Sequence, residues 1–250
     1  MNGISRPAAP ARSSTMTQPI ADRIAALDWP ALQARLDEDG FVQTPPILTA
    51  PERAGLARSF DDGRFRSTIE MRRHRFGEGT YRYFDHPLPD PIAAARRALY
   101  APLAETANRW AEQLGEPADL PAGLDAFLDR CHRAGQGRPT PLILRYGEGG
   151  HNALHQDIYG EVAFPLQAVT LLSSIGDFAG GQFVLVEGRP RQQSRAHVID
   201  LDPGAFLVFP TRNRPVQGSR GFYRAAMRHG VATVLGGERT TLGIIFHDAA

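Results

Sequence analysis

Lysine is absent from this chain: all 28 basic residues are arginine, against 27 acidic ones, for a net charge of +1. Genome composition accounts for that bias, but it has a chemical consequence. Any anion bound here must meet a planar guanidinium or a backbone amide, never an ammonium. The near-zero balance excludes a surface coated in positive charge for nucleic acid, although a sum does not exclude a local basic face. Cysteine occurs once, as Cys131. That excludes an intrachain disulfide, suits a reducing cytoplasm and gives no sign of a thiolate nucleophile. No apolar run approaches the roughly 18 residues of a membrane span, so no membrane partner is expected.

What is present is ordinary for a folded protein: 42% apolar and 22% charged residues over 250 positions. That length suits one large domain, here 19–250, with helical support over 19–139 and a β-rich core over 140–250. Residues 1–18 are rich in Ala, Pro and Ser, carry Arg6 and Arg12 without an acid, and lack the apolar core of a secretory signal. The expectation there is a disordered tail or a true start at Met16, with a transit peptide the weaker alternative.

Ile20, Ile24, Leu27, Leu32 and Leu36 recur at helical spacing up to Gly40, and Phe41-Val42 reads as a short strand before Pro45-Pro46. Residues 50–60, 90–114 and 121–133 read as helices. After Pro141, β-forming runs appear near 142–146, 162–172, 182–187, 196–201, 205–209, 222–234 and 239–246, mostly separated by Gly, Pro and Asn. A helical first half followed by seven or eight strands predicts an α+β, mainly β fold, a jelly-roll barrel buttressed by helices.

The chemistry concentrates in His155-Gln156-Asp157, His229 and Arg239. On an extended strand His155 and Asp157 share one face, so both reach one ion without distortion of the backbone. With His229 they form the sequence pattern of a two-His, one-carboxylate facial triad, which suits Fe(II) and leaves coordination sites free. Arg239, ten residues after His229, supplies a fixed fork for a distant carboxylate. A His-x-Asp triplet alone also describes a surface His beside an Asp, with His229 a core histidine; order and spacing together favour the metal. A hydrolytic zinc site uses similar ligands, but no base stands beside a metal-bound water in this pattern.

These residues resemble the iron(II)/2-oxoglutarate dioxygenases over about 140–250. The resemblance runs through Leu144-Arg145-Tyr146-Gly147, the His155 triplet, Gly180-Gly181-Gln182-Phe183, Asp202-Pro203-Gly204 and the His229–Arg239 interval. Further stretches are similar to a bacterial oxygenase family assigned to oxidative demethylation of damaged nucleic acid. They are Arg72 to Gly77, Tyr81 to Phe84, Cys131-His132, Phe164 to Gln167, Arg189 to Arg191 and Gly243 to Asp248. The resemblance implies a double-stranded β-helix that uses Fe(II), 2-oxoglutarate and O2. It implies His155, Asp157 and His229 as metal ligands, Arg239 as the 2-oxoglutarate clamp and Tyr146 as a hydroxyl donor to the same carboxylate. Without it, Tyr146 is as readily a core aromatic. Alkylation-repair enzymes place a second Arg six residues after the first, where this chain has Ile245.

Between Arg72 and Phe84, basic side chains interleave with Phe76, Tyr81, Tyr83 and Phe84. Arg72, Arg73 and Arg75 on phosphates, with Tyr81 or Tyr83 against a base, would suit a flipped or single-stranded alkylated nucleotide of DNA or RNA. A solvated strand pair forming a lid is the plainer alternative. Arg189, Arg191 and Arg195 form a second basic cluster that reads as phosphate-binding or solvated. His151 reads as a loop or supporting residue, His247-Asp248 as a structural pair, and His132 has no second cysteine with which to build a metal site. Rival functions are the same oxidation on a protein side chain or small metabolite, and a non-catalytic metal-binding barrel. The oligomeric state is left open by the sequence.

Overall fold

The structure is a computed structural model that describes residues 18–157 and 160–250. The tail expected over 1–18 lies, apart from Gln18, outside the described residues. The helices are α1 (Ile20–Ala25), α2 (Trp29–Asp39), α3 (Ala50–Asp62), α4 (Met71–His74), α5 (Asp90–Gln113) and α6 (Leu124–Arg133). Strands β1 (Val42–Gln43), β2 (Phe65–Glu70), β3 (Gly77–Glu78) and β4 (Thr80–Phe84) fall among them. Then follow β5 (Leu142–Tyr146), β6 (His151–His155), β7 (Leu166–Leu171), β8 (Phe178–Gly180), β9 (Phe183–Gly188) and β10 (Arg195–Ile199). The last are β11 (Phe206–Pro210), β12 (Asn213–Gly218), β13 (Gly221–Val231), β14 (Val234–Gly237) and β15 (Arg239–Ile245).

Two antiparallel sheets carry the fold. The larger runs β1-β11-β7-β15-β5-β4-β2; the smaller runs β10-β9-β13-β6-β3, with β12 beside β13. Neither ladder closes on itself among the described residues. Strands β7 and β11 are buried at every position because the large sheet is covered on both faces. Ala168, Val208 and Ile244 face helix α5 with Leu99 and Leu103, while Val169, Leu207 and Phe209 meet Phe183, Leu185 and Met227 of the smaller sheet. Side chains alternate along a strand, so a strand covered on both faces reads as one continuous apolar run.

Two expectations need correction. The periodicity from Ile20 to Leu36 predicts one helix, but the chain breaks it before α2. Asp28 accepts the Ala31 N–H at 3.1 Å, and Pro30 occupies the first turn of α2, where its missing N–H costs nothing. The segment 19–139 is also not purely helical. Strands β2 and β4 extend the large sheet, β4 pairing with β5 from Thr80–Arg145 to Tyr83–Leu142, and β3 extends the small one by pairing with β6. Gly40 does end α2, at φ +81°, with its N–H on the Leu36 carbonyl at 2.9 Å.

A buried ion pair ties the helical layer to the chain end. Arg96 of α5 donates to Asp248 Oδ1 at 2.8 Å, and to the Ile245 and Phe246 carbonyls at 3.0 and 2.8 Å. His132 meets the other Asp248 oxygen at 3.1 Å. The expected His247–Asp248 pair is therefore two separate features, because past the end of β15 the two side chains meet different partners. His247 instead accepts the Phe164 N–H through Nδ1 at 3.2 Å.

Candidate metal centre

Strand β6 ends at His155, directly opposite His229 of β13. Their rings lie 4.2 Å apart, centroid to centroid. Asp157 follows two residues later, its backbone N–H on the Thr211 carbonyl at 3.2 Å. The side chain of the intervening Gln156 donates to the Arg212 and Met227 carbonyls at 2.9 and 3.0 Å, which pins the turn. The carboxylate then reaches both imidazoles: His155 Nε2 to Oδ1 at 3.5 Å and His229 Nε2 to Oδ2 at 3.2 Å. One ligand atom from each of the three lies within 4.8 Å of the others. Adjacent ligands of one octahedral ion at about 2.1 Å would be about 3.0 Å apart, so the three donors fit neighbouring positions around a small divalent cation. His155 Nδ1 faces the Ala153 carbonyl at 2.8 Å, which directs the Nε2 lone pair toward the other two.

Electrostatics favour the same use. Burial opposes charge on Asp157, but the two imidazoles outweigh it and hold its carboxyl far below the usual carboxylate range. Burial likewise opposes protonation of His155, yet its bonds to Asp157 and Ala153 raise its pKa. On the deeper His229 burial prevails over Asp157 and lowers it. An anionic carboxylate beside a neutral buried imidazole suits cation binding.

The triad lines a cavity of about 370 Å³ between the sheets, shared by Arg239, Tyr146, Gln167, Arg75, Phe76, Tyr81 and Tyr83. Arg239, 2% exposed, opens β15 opposite Tyr146 of β5. It forms no ion pair with any described residue, and its Nη1 is buried without a hydrogen bond. Burial lowers its pKa. The Tyr146 hydroxyl is also buried without a well-formed hydrogen bond; burial pushes its pKa up to about 12, against the pull of Arg239 and Asn152. Two glycines make room for this pair. A Cβ on Gly181, at φ +66°, would sit 2.8 Å from Arg239 Cδ, and one on Gly79 would sit 2.7 Å from the Tyr146 ring.

At the mouth, Tyr81 and Tyr83 pack edge to face at 5.5 Å, and Arg66 lies over the Tyr83 ring at 4.4 Å. Arg75, in the left-handed region at φ 60°, and the half-exposed Phe76 complete that rim. Arg72 and Arg73 are not in the lining: both are solvated on α4, 3.8 Å from Glu78 and Glu70 respectively. Arg189 is committed to the buried Glu187, which Arg214 also holds. His151 begins β6 outside the cavity lining, opposite Glu78. The sequence reading missed Gln167, which donates to Asp157 Oδ2 at 2.7 Å from the opposite sheet. Its signal was a single amide in the run Leu166–Leu171, where Thr170 is the other polar residue.

The architecture is that of 2-oxoglutarate- and Fe(II)-dependent oxygenases. A prolyl-4-hydroxylase from Pseudomonas putida superposes with a TM-score of 0.50 at 17% identity, covering 89% of this chain and 99% of that one. An oxidoreductase of the 2OG-Fe(II) oxygenase family from Burkholderia pseudomallei gives 0.51 at 18% identity, covering 89% and 93%. In sequence, an uncharacterized protein of Mycobacterium tuberculosis is 49% identical over 168 residues, 67% of this chain and 72% of that protein. Residues 79–249 match the Oxygenase-NA family, described as an oxygenase catalysing oxidative methylation of damaged DNA. The chain belongs to that family and is an oxidoreductase of the iron(II)/2-oxoglutarate oxygenase class.

Proposed function

We propose that this oxygenase removes methyl groups from alkylated nucleic-acid bases in the cytoplasm. Residues 19–250 act as one dioxygenase domain built on a jelly-roll double-stranded β-helix. In this reading His155, Asp157 and His229 hold Fe(II), Arg239 grips the far carboxylate of 2-oxoglutarate, and Tyr146 donates its hydroxyl to the same group. Bound iron, with 2-oxoglutarate and O2, would supply the oxidising power to hydroxylate an unactivated C–H bond. The single observation that carries the assignment is Arg239: a buried guanidinium with no anionic partner among the described residues, lining the cavity that holds the triad. An unpaired buried cation is costly, and a dicarboxylate co-substrate removes that cost.

The chain's own residues bind, orient and exclude water. Arg239, held by the β5–β15 register in the same cavity as the triad, would grip one end of the co-substrate and leave its keto-acid end for the metal. Phe183, Phe209 and Val169 wall the cavity and keep bulk water from the reacting centre. Arg75, Phe76, Tyr81 and Tyr83 at the mouth offer one cation and three aromatic faces, a combination that suits a base and its phosphate. Hydroxylation of an N-methyl group gives a hemiaminal that breaks down to formaldehyde and free base, so oxidation at methyl results in its loss.

The test is product analysis. Purified protein supplied with Fe(II), 2-oxoglutarate and O2 should release succinate and formaldehyde in equal amounts on single-stranded oligonucleotides carrying N-methylated bases. Succinate formation stimulated by peptides or metabolites, with none of the oligonucleotides demethylated, would replace the nucleic-acid substrate and leave the oxygenase chemistry in place.

A further inference from the structure

Asp157 is held from two sides. Its backbone N–H is tied to the Thr211 carbonyl, and the neighbouring Gln156 is clamped to the Arg212 carbonyl and to that of Met227 on the smaller sheet. Its side chain is tied to the larger sheet, where Gln167 Nε2 donates to Oδ2 at 2.7 Å. Gln167 is 5% exposed and sits on β7, the strand between β11 and β15, opposite Phe209 on one side and Ile245 on the other. An amide in that apolar setting loses its hydration, so its hydrogen bond to an anion is worth more than at the surface. Only the amide nitrogen can face a carboxylate, so the donor and acceptor roles are fixed.

A free aspartate can offer an ion one oxygen or both, and the second mode occupies an additional coordination position. A carboxylate whose Oδ2 already accepts from Gln167 at 2.7 Å has less of that oxygen left for an ion than Oδ1, and rotation about its Cβ–Cγ bond would break that bond. We infer that Gln167 is the positioning residue of the metal centre: by holding Asp157 Oδ2 from the opposite sheet, it restricts the aspartate to one-oxygen coordination and keeps the remaining positions open. This rests on the metal reading proposed above. Gln167 need not touch metal, co-substrate or substrate; it acts through Asp157.

Co(II) titration of the metal-free protein tests it, because Co(II) stands in for Fe(II) and its visible absorption reports coordination number. Gln167→Leu and Gln167→Met remove the donor while keeping an apolar chain of similar volume beside Phe209 and Ile245. Each should weaken Co(II) binding about 10–100-fold, the usual effect of losing an outer partner of a ligand. Each should also change the intensity of the cobalt bands. Gln167→Asn, one methylene too short to reach at full strength, should fall between. Thermal unfolding of each metal-free variant shows whether it is folded, and 2-oxoglutarate affinity should stay near parental in variants saturated with Co(II). Parental Co(II) affinity and an unchanged spectrum in folded Gln167→Leu and Gln167→Met would overturn the assignment and leave the metal reading standing. Failure of the parent protein to bind Co(II) would overturn both.

Discussion

Arg239 and Tyr146 stand opposite each other on paired strands, with the guanidinium carbon 5.7 Å from the tyrosine ring centroid. Phe178 lies on another side of the same guanidinium, at 6.0 Å. Aromatic faces moderate a buried cation but do not neutralise it. The pair is thus a buried charge and a buried hydroxyl side by side, as the proposed carboxylate site requires.

Arg239→Ala should leave metal binding intact and weaken 2-oxoglutarate by about 2–3 kcal/mol, roughly 30–150-fold, as expected for loss of a charge-assisted bond. Arg239→Lys should fall between, keeping the charge without the fork. Arg239→Met should leave the protein without co-substrate at least as stable as the parent, because it removes an unpaired buried charge. Calorimetric titration and thermal unfolding read these effects, and a parental 2-oxoglutarate affinity in Arg239→Ala places the clamp elsewhere.

Replacing His155, Asp157 or His229 with Ala should each abolish most iron binding and nearly all turnover, since two ligands hold a divalent ion far more weakly than three. Metal content after loading and desalting is the direct measurement. Any one of these variants retaining a full equivalent of iron would remove that residue from the ligand set.

The mouth tests the substrate. Tyr81→Ala or Tyr83→Ala should cost about 1–3 kcal/mol in oligonucleotide binding where the ring stacks on a base. Arg75→Ala should flatten the salt dependence by roughly one counterion. Arg72 and Arg73 stand away from the lining, so neutralising both should matter less than Arg75 alone. Little salt dependence in the parent protein, with near-parental turnover when Arg72, Arg73 and Arg75 are all neutralised, would point to a peptide or metabolite.

Breaking the Arg96–Asp248 pair should destabilise the whole fold. Both partners are nearly inaccessible, at 2% and 1%. Arg96→Leu strands a buried carboxylate and should cost about 3–5 kcal/mol, read as a drop in denaturant midpoint. A loss below 1 kcal/mol would mean that His132 suffices to hold Asp248.

His247 gives the stability an acid limb. Burial pushes its pKa down to about 4 from the ordinary 6.5, with Arg96 adding to the shift. The folded state therefore binds fewer protons than the unfolded one between those values. The contribution is fully present above about pH 6.5 and declines as pH falls toward 4, by at most about 3 kcal/mol. Protonation also removes the acceptor of the Phe164 N–H. His247→Gln should flatten that part of the stability–pH curve, whatever it does to stability at neutral pH.

By itself the sequence named the candidates: the three residues that the structure brings within reach of one cation, and an arginine for a carboxylate. Such signals are local, because two residues apart on a strand is already one face, and the ten residues from His229 to Arg239 only cross the short β14 into β15. The apolar runs after Pro141 likewise determined a β-rich second half, since continuous burial leaves its mark on composition. Tertiary structure alone decided what depends on pairing across the chain. That β2 and β4 join the large sheet was hidden, because their residues are half-exposed and mixed in polarity. That Arg75 faces the cavity while Arg72 and Arg73 face solvent follows from one left-handed residue ending a four-residue helix. Gln167 is ten positions from Asp157 in the chain, yet it reaches that carboxylate from the opposite sheet. Sequence spacing does not encode a contact of that kind; the register of strands brought together by folding does.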